Sequence, residues 1–332
     1  MSVTAPPAVD GTDQRRGYRP GGIEIAVGVA VLLLLLRPLL AGVLSGPALE
    51  AATTIFLAIV LQALPFLVLG VLLSAAITAF VPPTFWQRAL PSRPALAVPV
   101  AGCAGAVVPG CECASVPVSG ALMSRGVAPA AALAFLLSSP AINPVVIVST
   151  FVAFPNNHVM ALARFVASLL TAVAMGWLWL RFGRGGWLRI PRRRHADGTP
   201  RTQVFLASAG HDFLHAGGFL VIGGMAAAVL NVFVPREWLS ALADKPVLSV
   251  VALAALAVVL SICSEADAFV AASLSEFSLT ALLAFLVVGP MVDMKLIALQ
   301  AGTFGRRFAV RFAPATFAMA ILVSLLVGAV VW

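Results

Sequence analysis

Charge is what this chain has least of. Only 10% of its 332 residues are Asp, Glu, Lys or Arg, against 61% that are hydrophobic, and mean hydropathy is +1.04. A domain that meets water on all sides cannot be covered with so little charge, so a soluble fold is excluded and a polytopic membrane protein is indicated. The apolar runs are continuous rather than alternating, which excludes a β-barrel and leaves helices. Cysteine is scarce too. Cys103, Cys111, Cys113 and Cys263 are too few, and lie too deep in apolar runs, to form a secreted disulfide framework. The phosphate-binding pattern GxxxxGK[ST] is missing, which excludes ATP hydrolysis by this chain. No cofactor and no enzymatic activity are expected. The net charge of +8 does not indicate nucleic acid, because the basic residues sit between apolar segments as topology signals. The expected partners are the lipid bilayer and a small-molecule or ion substrate, and a homo-oligomer is compatible with the composition.

What is present is oil, interrupted. Residues 1–22 are rich in Pro, Gly and polar residues and read as a disordered cytoplasmic tail, followed by a leading transmembrane helix over 23–46 that lacks a convincing cleavage site. Apolar segments then fall at about 54–81, 96–124, 129–153, 159–180, 205–234, 247–274, 279–301 and 309–332. If all nine segments span, 10 or 8 of the 18 Lys and Arg outside the apolar runs lie in the cytoplasm, which is no bias. If 96–124 and 247–274 are instead re-entrant hairpins, 16 of the 18 lie inside, with Arg236 and Lys245 outside. The positive-inside rule favours the hairpins. Neither limb of the first, 96–108 or 114–124, reaches the ~20 residues of a spanning helix, and Pro109-Gly110 supplies a turn. Broken backbone at that depth must face protein or a water-filled cavity.

An internal repeat supports this reading. Residues 113–148 align without gaps on 263–298, pairing Cys113 with Cys263, Phe135 with Phe285 and Pro140 with Pro290 among others, and "PFLVLG" at Pro65–Gly70 matches "GFLVIG" at Gly218–Gly223. Each half then has three crossings and one hairpin, and an odd number of crossings inverts the second half relative to the first. The expected fold is therefore all-α and integral to the membrane: a leading helix, a first repeat over 50–182, a basic cytoplasmic loop over 183–204 and an inverted second repeat over 205–332. Eight or nine full spans are the alternative.

Four polar groups interrupt the oil. In "PGCECASVP", Cys111 and Cys113 flank Glu112; an extended tip would face the two thiols together with Glu112 opposite, and a thiolate at the start of the following half-helix is favoured by its dipole. Its repeat mate, "CSEADAF", offers Cys263, Glu265 and Asp267, two acids that are costly in an apolar run. The third group is a pair of broken helices. One carries Ser138, Ser139, Pro140, Asn143 and Pro144, the other Pro290, Asp293 and Lys295, with Asn143 and Asp293 repeat-equivalent. Asp293 and Lys295 are as readily a mutually neutralising pair as a coupling site. The fourth is "HDFLH", where His211 and His215 share a helix face beside Asp212; a pH-responsive or capping role outweighs metal binding there, and the metal ligands stay unassigned. Arg37 and Arg164 read as snorkelling residues without function.

The stretch "PGCECASVP…SRGVAPAAALAFLLSSPAINPVVIVSTFVAF" resembles the predicted bacterial permeases that include the YraQ proteins and the organoarsenical efflux permease ArsP. The resemblance covers most of residues 50–302. It implies a transporter, with trivalent organoarsenicals or soft metal ions as substrates in parts of the family; a multi-pass protein of the bacterial plasma membrane is expected, and the charge split puts its N-terminus in the cytoplasm. One departure is Gln62 in "VLQALPF", where relatives carry an acid, so proton coupling here would need another carboxylate. The substrate-binding candidates are Cys111, Glu112, Cys113, Cys263, Ser138, Pro140, Asn143 and Pro290. The coupling candidates are Glu265, Asp267, Asp293 and Lys295. Secondary efflux of a thiol-reactive solute is the leading reading, since two thiols are soft ligands. A subunit of a larger membrane complex and an intramembrane thiol–disulfide oxidoreductase are the alternatives, the latter poorly served by cysteines two apart.

Overall fold

The computed structural model describes residues 47–82, 84–85, 89–107, 111–190, 200–233, 246–274 and 276–332. The tail, the leading helix with Arg37, the Pro109-Gly110 turn, Arg236 and Lys245 lie outside the described residues. The described residues form helices and no strand. In the first half these are α1 (Pro47–Phe80), α2 (Pro94–Ala104), α3 (Glu112–Ser124), α4 (Pro129–Ile142), α5 (Pro144–Ala153) and α6 (Val159–Phe182). In the second they are α7 (Arg201–Phe233), α8 (Pro246–Leu260), α9 (Asp267–Ser273), α10 (Leu279–Val288), α11 (Met294–Phe304) and α12 (Arg306–Val331). Proline punctuates this order: α2, α4 and α5 each begin on one, where its missing N–H costs nothing.

Among the described residues, five stretches are long and apolar enough to cross a membrane: Leu49–Phe80, Pro129–Ala153, Val159–Phe182, Arg201–Val229 and Arg306–Val331. The segments read as hairpins are indeed short helices in pairs, α2 with α3 and α8 with α9, none of spanning length. The apolar run 279–301 is likewise interrupted, as α10 and α11. The basic stretch read as a loop to residue 204 gives way to α7 at Arg201.

The two halves are inverted, and the contacts show it directly. The repeat-equivalent helices α1 and α7 run antiparallel: Phe80 meets Phe205, Ser74 bonds Asp212, and Phe56 and Ile59 lie against Gly224. So do α6 and α12, where Trp179, near the end of one, packs edge-on against Phe308 near the start of the other. Packing is exchanged between halves as the symmetry requires, with α3 against α11 and α9 against α5. At the centre lie α4 and α10, whose matched Ala131/Ala281, Leu133/Leu283, Ala134/Ala284, Phe135/Phe285 and Leu136/Leu286 are all buried. Small residues are common at helix contacts in lipid because they let backbones approach; here they mark the innermost helices of each half.

Two glycines bring the outer helices onto the site. A Cβ at Gly70 of α1 would stand 2.4 Å from Ala114 Cα in α3, and one at its repeat mate Gly223 of α7 would stand 2.7 Å from Lys295 Cα in α11. Both close approaches converge on the elements that carry Glu112 and Lys295.

Candidate functional site

Cys111, Glu112 and Cys113 of the first hairpin, Cys263, Ser264 and Asp267 of the second, and Asn143 and Asp293 at the helix breaks are all buried. Cys111 is the N-cap of α3 with extended backbone (φ −86°, ψ 176°), while Glu112 and Cys113 already belong to the helix. The expected extended tip is therefore replaced by a helix start, because the Cys111 carbonyl accepts from Ala114 and Ser115 N–H and winds the first turn. The outcome for the thiols is the same. Cys111 lies close to Cys113 and to Cys263 from the facing hairpin, and all three are buried. Cys111 makes no side-chain capping bond, so the positive end of α3 faces the thiols uncapped. Cys103 is exposed and takes no part.

Glu112 points the other way, to Lys295. The Lys295 Nζ lies 3.3 Å from Glu112 Oε1 and 3.3 Å from Asp293 Oδ2, and Ser264 Oγ donates to Glu112 Oε2 at 3.4 Å. The Asp293–Lys295 pairing read from the sequence thus exists, within a larger arrangement: one buried ammonium bridges carboxylates from opposite halves. Asp293 also caps α11, accepting from Leu296 N–H at 2.5 Å, as Asn143 caps α5 by accepting from Val146 N–H at 3.0 Å. The two repeat-equivalent residues do the same structural work. The break in the first half falls at Asn143; Pro140 stays inside α4, one turn earlier, whereas Pro290 lies in the break between α10 and α11. Ser138 bonds the Phe135 carbonyl, and the Ser139 carbonyl accepts from Asn143 Nδ2. These described bonds are local to α4 and its break and do not reach the thiols.

Asp267 is not a solvated acid. Arg164, read from sequence as a snorkelling residue, is fully buried and grips it with both terminal nitrogens, at 2.9 and 2.7 Å. Thr150 Oγ1 accepts from the same guanidinium at 2.7 Å, and the Ser264 carbonyl at 3.4 Å. An apolar run holding a cation must bury it against an anion or bring it to the surface, and Arg164 takes the first course rather than the expected second. Glu265 is partly buried, and its Oε2 has no hydrogen-bond partner. Four acids (Glu112, Glu265, Asp267, Asp293) therefore share the centre with two bases (Arg164, Lys295), a formal deficit of two positive charges when all are ionised.

On the flank, His211 and His215 stack with ring centroids 5.9 Å apart, His215 Nε2 lies 3.1 Å from the Gly302 carbonyl, and Asp212 accepts from Ser74 at 2.9 Å. The helix-face reading holds. Among the described residues no group of three or more His, Cys, Asp or Glu is arranged to hold a metal ion. Gln62 is exposed on α1, on the outside of the bundle.

A tandem of inverted halves with a polar centre between two hairpins is a transporter's construction, and comparison with known proteins agrees. A family described as "Predicted permease" matches residues 48–329. The chain belongs to this predicted permease family. It is 36% identical over 262 residues to the "UPF0718 protein YcgR" of Bacillus subtilis (strain 168), covering 77% of this chain and 89% of that protein. It is 31% identical over 283 residues to the "Putative two-component membrane permease complex subunit" of Streptococcus mutans serotype c, covering 82% and 94%. No solved structure matches the chain. The protein is a multi-pass membrane permease, and Cys111, Glu112 and Cys113 lie inside the region the family covers.

Proposed function

We propose that this permease exports a small thiol-reactive solute, a trivalent organoarsenical or a soft metal ion, as a secondary transporter of the bacterial plasma membrane. One observation carries the reading: three buried thiols from the hairpins of both halves converge beside a carboxylate that is itself held across the halves. Thiolates are the soft ligands such electrophiles prefer, and two or three of them select without the closed four-ligand cage that would trap an ion structurally. Glu112 and Glu265 flank the thiols and are suited to receive the protons shed on binding, since only the thiolate is a ligand. Asn143, Pro140, Ser138 and Pro290 shape the breaks that keep this centre open.

Coupling falls to the acids. Proton arrival at Glu112 or Asp293 weakens their hold on Lys295, and proton arrival at Asp267 weakens its hold on Arg164. Losing the Glu112–Lys295 or the Asp267–Arg164 contact loosens one half from the other, whereas Asp293 and Lys295 belong to the same half. The orientation that goes with this reading puts the N-terminus and the arginine-rich ends of the helices in the cytoplasm.

The test is Cys111→Ser with Cys113→Ser, measured as export of phenylarsine oxide from cells and as membrane abundance. Export should be lost with abundance intact. Wild-type export by the double variant would make the cysteines packing residues and end the thiol reading. A second reading draws on the Streptococcus mutans relative, named as a subunit of a two-component complex: this chain would then need a partner. Purified chain reconstituted alone into liposomes decides between them, because a lone carrier transports there and a dependent subunit does not.

A further inference from the structure

A cavity of about 740 Å³ lies beside the buried centre, between α3, α7, α11 and the segment that follows α6. Pro117 and Gly120 of α3 form one wall, His211, Asp212, His215 and Ala216 of α7 another, and Gly302 and Thr303 of α11 a third. Leu188 and Arg189 complete it. Two of these walls continue into the site. Pro117 is four residues, about 6 Å, from Cys113 along α3, and Gly302 is seven residues, about 10 Å, from Lys295 along α11. The bidentate Arg164–Asp267 pair contributes no residue to this cavity.

The cavity is electropositive. Its rim residues Gly185, Arg189, Ile190 and His211 are exposed. Arg181, Arg184, Arg201, Arg306, Arg307 and Arg311 lie in the same helix ends and connections, while Asp212, the acid in the cavity wall, is engaged with Ser74. The positive-inside rule accounts for arginines at this end in general. It does not account for one that lines a cavity leading to the site, where low-dielectric walls focus the field. The volume is also far more than a bare ion fills, and falls within the range of pockets that take small organic molecules.

We propose that this cavity is a cytoplasm-facing antechamber that takes up a small organic anion, so that the cargo carries negative charge as well as a soft centre. The proposal rests on the efflux reading for its direction, and on Arg189 and the two histidines for its selectivity. The test uses the full chain with Cys103→Ala and Thr303→Cys, in inside-out and right-side-out vesicles. Modification rates are measured with the anionic sulfonatoethyl and the cationic trimethylammonioethyl methanethiosulfonates, each relative to its rate with a free thiol. The anionic reagent should react about tenfold faster, from the cytoplasmic side alone. Arg189→Glu should abolish or reverse that preference, as expected for a two-charge change at the lining. Millimolar benzenesulfonate should slow labelling, and phenyltrimethylammonium should not. Equal relative rates, indifference to Arg189→Glu, or labelling from the outer side would each overturn the proposal. Repeating the measurement in Cys111→Ser/Cys113→Ser separates the two readings: charge selectivity there should be unchanged, even where export fails.

Discussion

Removing either partner of the Arg164–Asp267 pair should damage the protein more than removing both. Arg164 is completely buried and Asp267 is 2% exposed, and the two are joined by bonds of 2.7 and 2.9 Å between helices of opposite halves. Arg164→Met leaves Asp267 charged in an apolar surround, or forces it to take a proton. Breaking such a pair costs about 3–5 kcal/mol. With about 2–4 °C per kcal/mol for a chain of this order of size, thermal unfolding in detergent should fall by about 6–20 °C. Asp267→Leu strands the guanidinium, although Thr150 and the Ser264 carbonyl still accept from it, so its cost should sit at the lower end. The double variant Arg164→Met/Asp267→Leu replaces two charges by apolar side chains of similar size and should recover most of the loss, since buried pairs roughly break even against such replacements. The measurement is a double-mutant cycle on melting temperature, followed by fluorescence-detected size exclusion, with export assayed in parallel. The double variant should be folded yet defective in export, because a charged contact between the two halves is gone. Additive losses would mean that the two residues do not act as a pair.

Asp293→Asn keeps the cap on α11, as Asn143 shows an amide can, and deletes one of the two carboxylates on Lys295; expression should be normal and the pH dependence of transport lost, as read from uptake into everted vesicles across a pH series. Gly70→Ala and Gly223→Ala would place a methyl 2.4 and 2.7 Å from neighbouring backbone; the helices must part by up to about 1 Å at a cost of about 1–3 kcal/mol, and transport should fall further than abundance on a membrane blot. Cysteine placed at Gly186 should be labelled by an impermeant maleimide only in everted vesicles, and cysteine at Trp332 only in intact cells; labelling of Gly186→Cys from outside would refute the assigned orientation.

The architecture was legible because its signals are local. Two interrupted apolar runs with limbs too short to span, and a charge distribution that makes sense only if they turn back, predicted α2–α3 and α8–α9 before any coordinate. The breaks at Asn143 and Asp293 were legible for the same reason, as polar residues at equivalent places in a repeat. Half of the Lys295 arrangement was visible too, since Asp293 is two residues away. What sequence reasoning missed is all long-range. Glu112 lies 183 residues from Lys295, and Asp267 lies 103 from Arg164. Propensity and periodicity carry no information on pairings at that separation. Inversion did hold a clue: a hairpin entering from one face must meet the second half of the other repeat, so a lone buried arginine in α6 should have been sought a partner among the acids of the opposite hairpin.

The shared cap has a consequence for energetics. Two perfectly identical inverted halves would give inward-facing and outward-facing forms of equal energy, a carrier with no resting side. Asn143 and Asp293 perform one task at equivalent places, and they differ by an amide nitrogen in place of a carboxylate oxygen. That substitution lifts the degeneracy. Under the proposed coupling it gives one half an ionisable cap and leaves the other neutral, so the two forms would respond unequally to protons and to the membrane potential, where each elementary charge is worth about 2.3 kcal/mol per 100 mV. A duplicated fold thereby acquires a preferred idle state without any change in its helices.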